Sequence, residues 1–144
     1  MCSSDLKRQV KSPKVYLRDS GLLHTLLGVN SSAGLAANPR LGASWEGFAL
    51  EETLRAAGGR EAYFWSTQAG AELDLLLFHD GRRLGVEFKY ADAPGLTRSM
   101  HIARQDLKLE RLLIVHPGTK SYRVADWAEA VALRDLPARL QNRS

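Results

Sequence analysis

Asp74, Glu87 and Lys89 are the residues of this chain whose types and spacing could do chemistry. They lie between Ala71 and Tyr90, where two runs of strand-forming residues flank Asp80-Gly81. That dipeptide is the strongest short signal for a two-residue hairpin turn. With Asp80 and Gly81 as the loop, His79 pairs with Arg82, Leu77 with Leu84, Leu75 with Val86 and Leu73 with Phe88. One face of the hairpin is then wholly apolar, and a one-residue slip would scramble both faces, so the pattern supports this register. The opposite face sets Asp74 across from Glu87 and Glu72 across from Lys89.

Two carboxylates directly across a ladder have Cβ atoms roughly 4.5–5.5 Å apart, and like charges there are destabilising. Among Leu, Val and Phe an unpaired ionised carboxylate costs more still. A divalent cation between the two would remove that cost. Magnesium is held by one or two carboxylates together with waters and substrate phosphate oxygens, and manganese suits similar donors. The commoner fate of strand carboxylates is a solvated face, with Glu72 and Lys89 as an ordinary cross-strand pair. Here Leu76 and Gly85 share that face and the strands are too apolar to be half-wet. The balance favours a metal site with a phosphate-compatible lysine beside it.

The elements that must position these groups read as follows. Residues 1–12 are a polar, basic lead-in or cloning remnant, and residues 13–140 form one domain with its core at about 44–115. Val15-Tyr16-Leu17 is a short strand, followed by a helix capped by Asp19, with Leu22, Leu23, Leu26 and Leu27 inward and Gly28 at its end. His24 on this helix has no partner at ligand spacing. Residues 30–42, rich in Ser, Ala, Gly, Asn and Pro, read as loop.

Ser44 caps the next helix, which Gly58-Gly59 stop. On a wheel of about 100° per residue, Glu51, Glu52 and Arg55 are wet and Ala49, Leu50, Thr53 and Ala57 dry. Glu46 falls in the middle of the dry stripe. An acid in a first helical turn complements the helix dipole, which explains the residue type but not its inward direction.

Glu61 to Thr67 is a strand by its aromatic content. After the hairpin, Pro94-Gly95 introduces a helix from Leu96 to about Leu109, with Leu96, Met100, Ala103 and Leu107 inward. Its other side carries Arg98, His101, Arg104, Gln105 and Lys108. These are most simply a solvated basic face; as a group they could meet phosphates. Arg111 to Val115 is a buried strand, Ser121–Val124 and Ala130–Leu133 are shorter edge strands, and Leu136 and Leu140 sit on a last turn or helix. Trp45, Phe48, Tyr63, Phe64 and Trp65 read as core rather than as base-stacking platforms.

Composition bounds the rest. The chain has 144 residues, enough for a real core, with 44% hydrophobic and 25% charged residues. A net charge of +4 permits a polyanionic partner without demanding one. A single cysteine, Cys2, rules out an internal disulfide framework and a cysteine-rich zinc site, and with no transmembrane-length apolar run it suits a cytoplasmic setting. The four histidines show no zinc spacing, and no nucleophile elbow or dinucleotide glycine fingerprint appears.

The order of a helix with an inward Glu46, a strand, a hairpin bearing Asp74 and Glu87-Phe88-Lys89, a helix and a strand resembles the αβββαβ core of the PD-(D/E)XK nuclease superfamily. More closely, Pro13 to Leu22, Gly42 to Phe48, Glu72-Leu73-Asp74 and Glu87-Phe88-Lys89 are similar to one bacterial and archaeal family. Its members carry a nuclease-like domain C-terminal to an AAA+-type ATPase. The chain lacks a phosphate loop of the Gly-x-x-x-x-Gly-Lys-Ser/Thr type, so the ATPase itself is absent. Two positions depart from related nucleases: Leu109 stands where a Tyr follows Gln105 by one turn, and Leu73 replaces a proline before Asp74.

The resemblance implies an α/β, restriction-endonuclease-like fold, a mixed sheet flanked by helices, with an N-terminal strand-helix extension. It implies a phosphodiesterase dependent on Mg2+ or Mn2+ that acts on nucleic acid, DNA in preference to RNA. Asp74, Glu87, the Phe88 carbonyl and Glu46 would hold the metal. Lys89 would be catalytic, Glu72 would position it, and Arg98, Arg104, Gln105 and Lys108 would bind the nucleic acid. The expected partners are nucleic acid and an N-terminal ATPase module, with a homo-oligomer left open and no membrane. The rival is a non-catalytic nucleic-acid- or protein-binding module that regulates the ATPase.

Overall fold

The computed structural model describes residues 19–26, 28, 30–79 and 81–141. The proposed strand at Val15–Leu17 and the turn residue Asp80 lie outside them. Six strands form one mixed sheet in the order β1-β2-β3-β4-β6-β5: β1 (Ala62–Ser66), β2 (Glu72–His79), β3 (Arg82–Phe88), β4 (Arg111–His116), β5 (Tyr122–Ala125) and β6 (Ala128–Ala132). Helices α1 (Ser20–Leu26), α2 (Ser32–Ala36) and α3 (Leu41–Ala57) precede the sheet, α4 (Arg98–Leu107) links β3 to β4, and α5 (Leu136–Gln141) closes the chain. No helix among the described residues is long and apolar enough to cross a membrane.

The hairpin register follows the hydrophobic pattern. Leu75 pairs with Val86, Leu77 with Leu84 and His79 with Arg82, and Gly81 takes a positive φ of 76° in the turn. β4 then adds in parallel to β3, as a buried crossover strand should, and α4 supplies the crossover. α4 starts at Thr97, whose hydroxyl accepts from the Met100 backbone N–H, and ends at Lys108 in the left-handed conformation.

Each face of the sheet has its own core. Leu75, Leu77, Val86, Phe88, Leu113 and Val115 pack against Ala49 and Ala57 of α3 and Leu136 and Leu140 of α5. Leu73, Leu76, Leu112 and Ile114 pack against Met100 and Ala103 of α4. Gly85 lies close beneath the α4-side core: a Cβ there would stand 2.7 Å from a Leu109 methyl and 2.9 Å from a Leu112 methyl, so a larger residue would have to displace those side chains.

Several expectations change. Leu73 does not face Phe88 but belongs to the α4 layer. The cause is a β-bulge: Tyr63 pairs with Leu76 but Trp65 with Leu73, so Asp74 and Leu75 together oppose Phe64 and the alternation of faces shifts by one. α3 begins at Leu41, three residues before Ser44, and residues 32–36 of the expected loop form α2. Ser44 is buried, and its hydroxyl meets His24 Nε2 at 2.6 Å, tying α1 to α3. Leu26 is exposed rather than inward. β6 is not an edge strand: it pairs in parallel with β4 and antiparallel with β5, and its small Ala128, Ala130 and Ala132 are buried. Phe48, Tyr63 and Phe64 are exposed at 42%, 51% and 47%, so these aromatics are not core.

Candidate active site

The site forms where the β2–β3 ladder stops. Backbone pairing runs out at Leu75–Val86, immediately next to the bulge. Beyond that point side chains take over from carbonyls. The Asp74 backbone N–H donates to Glu87 Oε2 at 3.2 Å, and the Phe88 N–H donates to Asp74 Oδ2 at 3.0 Å. Each carboxylate is thus fixed by the backbone amide of the other's strand. Phe88 stays anchored in the core on the α3 side, and Lys89 remains on the ladder through its N–H to the Val115 carbonyl at 2.9 Å.

Glu87 alternates with Val86 and Phe88 and so points to the α4 side, where it is buried. Its other oxygen, Oε1, receives the Lys89 ammonium at 2.9 Å. Burial raises the Glu87 pKa above its ordinary value of 4.5, and the neighbouring Asp74 charge raises it further, while Lys89 pulls the other way. Burial pulls the Lys89 ammonium down, but Glu87 first, then Asp74 and Glu46, outweigh it, so its pKa ends above 10.5. The position therefore holds two adjoining carboxylates, one dry and resisting ionisation, with the half-buried Lys89 ammonium offsetting part of their charge.

Asp74, Glu87 and Lys89 come together as the spacing implied. Glu46 sits half-buried on the α3 stripe of Ala49, Thr53 and Ala57, and its charge reaches Lys89. Among the described residues, no group of three or more His, Cys, Asp and Glu side chains stands ready to hold a metal ion. Lys89 is bonded to Glu87 on its own strand, and Glu72, expected opposite Lys89, pairs in the ladder with Ser66.

The basic residues of α4 are exposed. Arg104, Gln105 and Lys108 line one hollow of about 550 Å3 with His101. The Arg104 guanidinium lies over the Trp127 ring at 4.5 Å. At its far end α4 is held to the hairpin turn, because Arg83 Nη1 donates to the Leu107 carbonyl at 2.8 Å. Arg98 lies at the opposite, N-terminal end of the helix.

One feature at the site had not been expected from the sequence. Tyr90, next after Lys89, packs on Trp45, next before Glu46, with ring centroids 5.9 Å apart. Adjacency to two site residues was the only signal available for this pair.

Residues 41–136 match a family described as a domain of unknown function, DUF4143. The uncharacterized proteins Rv2008c of Mycobacterium tuberculosis and Mb2031c of Mycobacterium bovis are each 48% identical to the chain over 125 residues. That stretch is 87% of this chain and 28% of each relative, so the chain spans little more than a quarter of their length. No solved structure matches it.

Proposed function

The chain belongs to the DUF4143 family, and from that premise we propose that it is a metal-dependent phosphodiesterase domain acting on DNA, of the PD-(D/E)XK kind. The observation that carries the reading is the reciprocal clasp of Asp74 and Glu87 at the end of the ladder, with Lys89 Nζ 2.9 Å from Glu87. The element order from α3 to β4 is the αβββαβ order of that superfamily. A protein gains no stability from pressing one ionised carboxylate against another in a dry site, so such a pair points to function.

The donor set fits a hard cation such as Mg2+ or Mn2+. Asp74, Glu87 and the Phe88 carbonyl offer oxygens only; burial first and the Asp74 charge second raise the pKa of Glu87, and a cation would relieve the second. Bound there, such an ion would polarise a phosphoryl oxygen and lower the pKa of an attacking water. The remaining tasks fall to the chain. The backbone amides of Asp74 and Phe88 hold the two carboxylates in place. Lys89 would stabilise charge developing on the phosphate or orient the water, Glu46 would reach the site directly or through water, and Glu72 would help position Lys89. The strand would run along α4 past Arg98, Arg104, Gln105 and Lys108, whose exposed cations suit phosphates.

The test is cleavage of plasmid and single-stranded DNA in magnesium or manganese by the wild type and by Asp74→Ala and Lys89→Ala. Both variants should lose cleavage by at least about 100-fold while keeping the wild-type circular dichroism. Unchanged cleavage in Asp74→Ala would rule the mechanism out. One observation favours a second reading, a non-catalytic module regulating an ATPase in the longer protein: no three acids among the described residues stand together as a ready cage. A melting temperature indifferent to magnesium, together with intact DNA binding, would favour that module.

A further inference from the structure

β4 ends on His116, which alternates with the α3-side core residue Val115 and so points, like Glu87, to the α4 side of the sheet. It is 1% exposed, and its Nε2 is a buried side-chain nitrogen with no hydrogen-bond partner among the described residues. The Gly118 backbone N–H donates to Nδ1 at 3.1 Å, so the ring proton sits on Nε2. That nitrogen is a fixed donor and not a metal ligand. We propose that His116 is a positioning residue of the acid–lysine site, its Nε2–H bonding through one water to the Glu87–Lys89 pair. The inference rests on the phosphodiesterase reading and adds to it a residue of β4 that holds the lysine in place.

The register selects the partner. β3 and β4 run parallel with Phe88 abreast of Val115, and the Lys89 N–H donates to the Val115 carbonyl, so Lys89 stands abreast of His116. On the other flank β6 sets Ala132 beside His116, and an alanine offers no polar side chain. β3 offers the Lys89 ammonium and, two residues back on the same face, the Glu87 carboxylate, the two 2.9 Å apart. A water between them and His116 would accept from Nε2–H and from Lys89 and donate to Glu87, about the three bonds that a buried water makes. Glu87 can accept it, because each carboxylate oxygen has two lone pairs and Oε1 and Oε2 are engaged by Lys89 and by the Asp74 N–H. The imidazole is also held from its other sides. Gly118 lies so close that a Cβ there would stand 2.7 Å from Nδ1. The Tyr122 ring lies 5.9 Å away, and its hydroxyl donates to the Pro94 carbonyl in the loop that follows Lys89. A buried donor without a partner is costly, and packing alone would be served by an apolar ring. A histidine at the carboxyl ends of parallel strands, where open α/β sheets bind their ligands, therefore points to the site.

The test compares the wild type with His116→Phe, which keeps a ring and removes the donor, and His116→Gln, which returns an N–H donor. In magnesium-dependent DNA cleavage His116→Phe should lose about 10- to 100-fold in kcat with KM within about 2-fold, because it orients a site residue without touching the strand. Its melting temperature should stay within about 3 °C of the wild type, since exchanging a buried polar group and its water for an apolar ring is nearly neutral. His116→Gln should recover kcat to within about 5-fold of the wild type. In the metal-free protein, His116→Phe should shift the NMR signal of the Lys89 ammonium and leave that of Lys108, at the C-terminal end of α4, in place. Wild-type kcat in His116→Phe overturns the proposal and leaves the Asp74–Glu87–Lys89 reading standing. Equal losses of kcat in both variants, in step with falling melting temperatures, also overturn it and make His116 an anchor of the turn at Gly118. If the wild type cleaves nothing, the phosphodiesterase reading falls, and an unmoved Lys89 signal then overturns the His116 link as well. Should His116→Phe fail to fold, Gly118→Ala takes its place, because its methyl would press on Nδ1; the same loss of kcat is expected, and wild-type kcat overturns the proposal.

Discussion

Replacing Asp74 with Asn should make this protein more stable while abolishing its proposed activity. Asn keeps the oxygen that accepts from the Phe88 N–H and adds an amide able to donate to Glu87; only the charge is lost. Two unit charges about 5 Å apart at an effective dielectric of about 20 repel by about 3 kcal/mol. Asp74 is half-buried and Lys89 already offsets part of the field, so about 1 kcal/mol is the expected gain, or about 3 °C in melting temperature for a domain of this size. The gain must depend on pH. Because the folded pKa of Glu87 lies above its ordinary 4.5, ionising it costs stability. That cost is full above the raised value, shrinks as pH falls through it, and is gone below 4.5. Thermal melts in EDTA between pH 4 and 8 should show Asp74→Asn above the wild type at pH 7.5 and the two converging in acid. In magnesium the order should reverse, because a ligand at 100 times its Kd adds about 2.7 kcal/mol to the form that binds it. A variant less stable than the wild type in EDTA at pH 7.5 would show that the carboxylate pair is not under repulsion and would remove the main physical reason for a cation site.

Lys89→Met removes the ammonium bonded to Glu87. With Lys89 38% exposed, the loss should be about 1–2 kcal/mol at pH 7, read by urea denaturation, and acidification should restore it as Glu87 takes up a proton. In the wild type, the stability that Lys89 contributes is present from neutral pH up to 10.5 and should fade in alkali as pH rises through its raised pKa. Gly85→Ala drives a methyl into Leu109 and Leu112 and should cost about 1–3 kcal/mol at every pH, by thermal melt, since no titrating group is involved. Glu46→Gln should lower magnesium-dependent cleavage at least about 10-fold with a melting temperature within about 2 °C of wild type, because Gln keeps the side-chain shape and removes the charge that reaches Lys89.

Local rules made much of this protein legible from its sequence. Asp-Gly between two alternating runs sufficed for the hairpin, because turn geometry and the period of two leave one register with an apolar face. From that register Asp74 and Glu87 had to meet, and Lys89 had to follow on the same strand. The 3.6-residue period of α3 likewise placed Glu46 on the buried stripe. What the sequence could not carry were the non-local choices. The bulge at Asp74 and Leu75 arises from pairing with β1, so Leu73 went to the α4 layer although counting along the hairpin alone put it beside Phe88. β6 became an interior strand because it pairs in parallel with β4 on one side and antiparallel with β5 on the other, pairings that no window of five residues reveals. Whether an aromatic is core or surface depends on what packs against it, and only the assembled sheet and helices decide that Phe48, beside Trp45, stays 42% exposed.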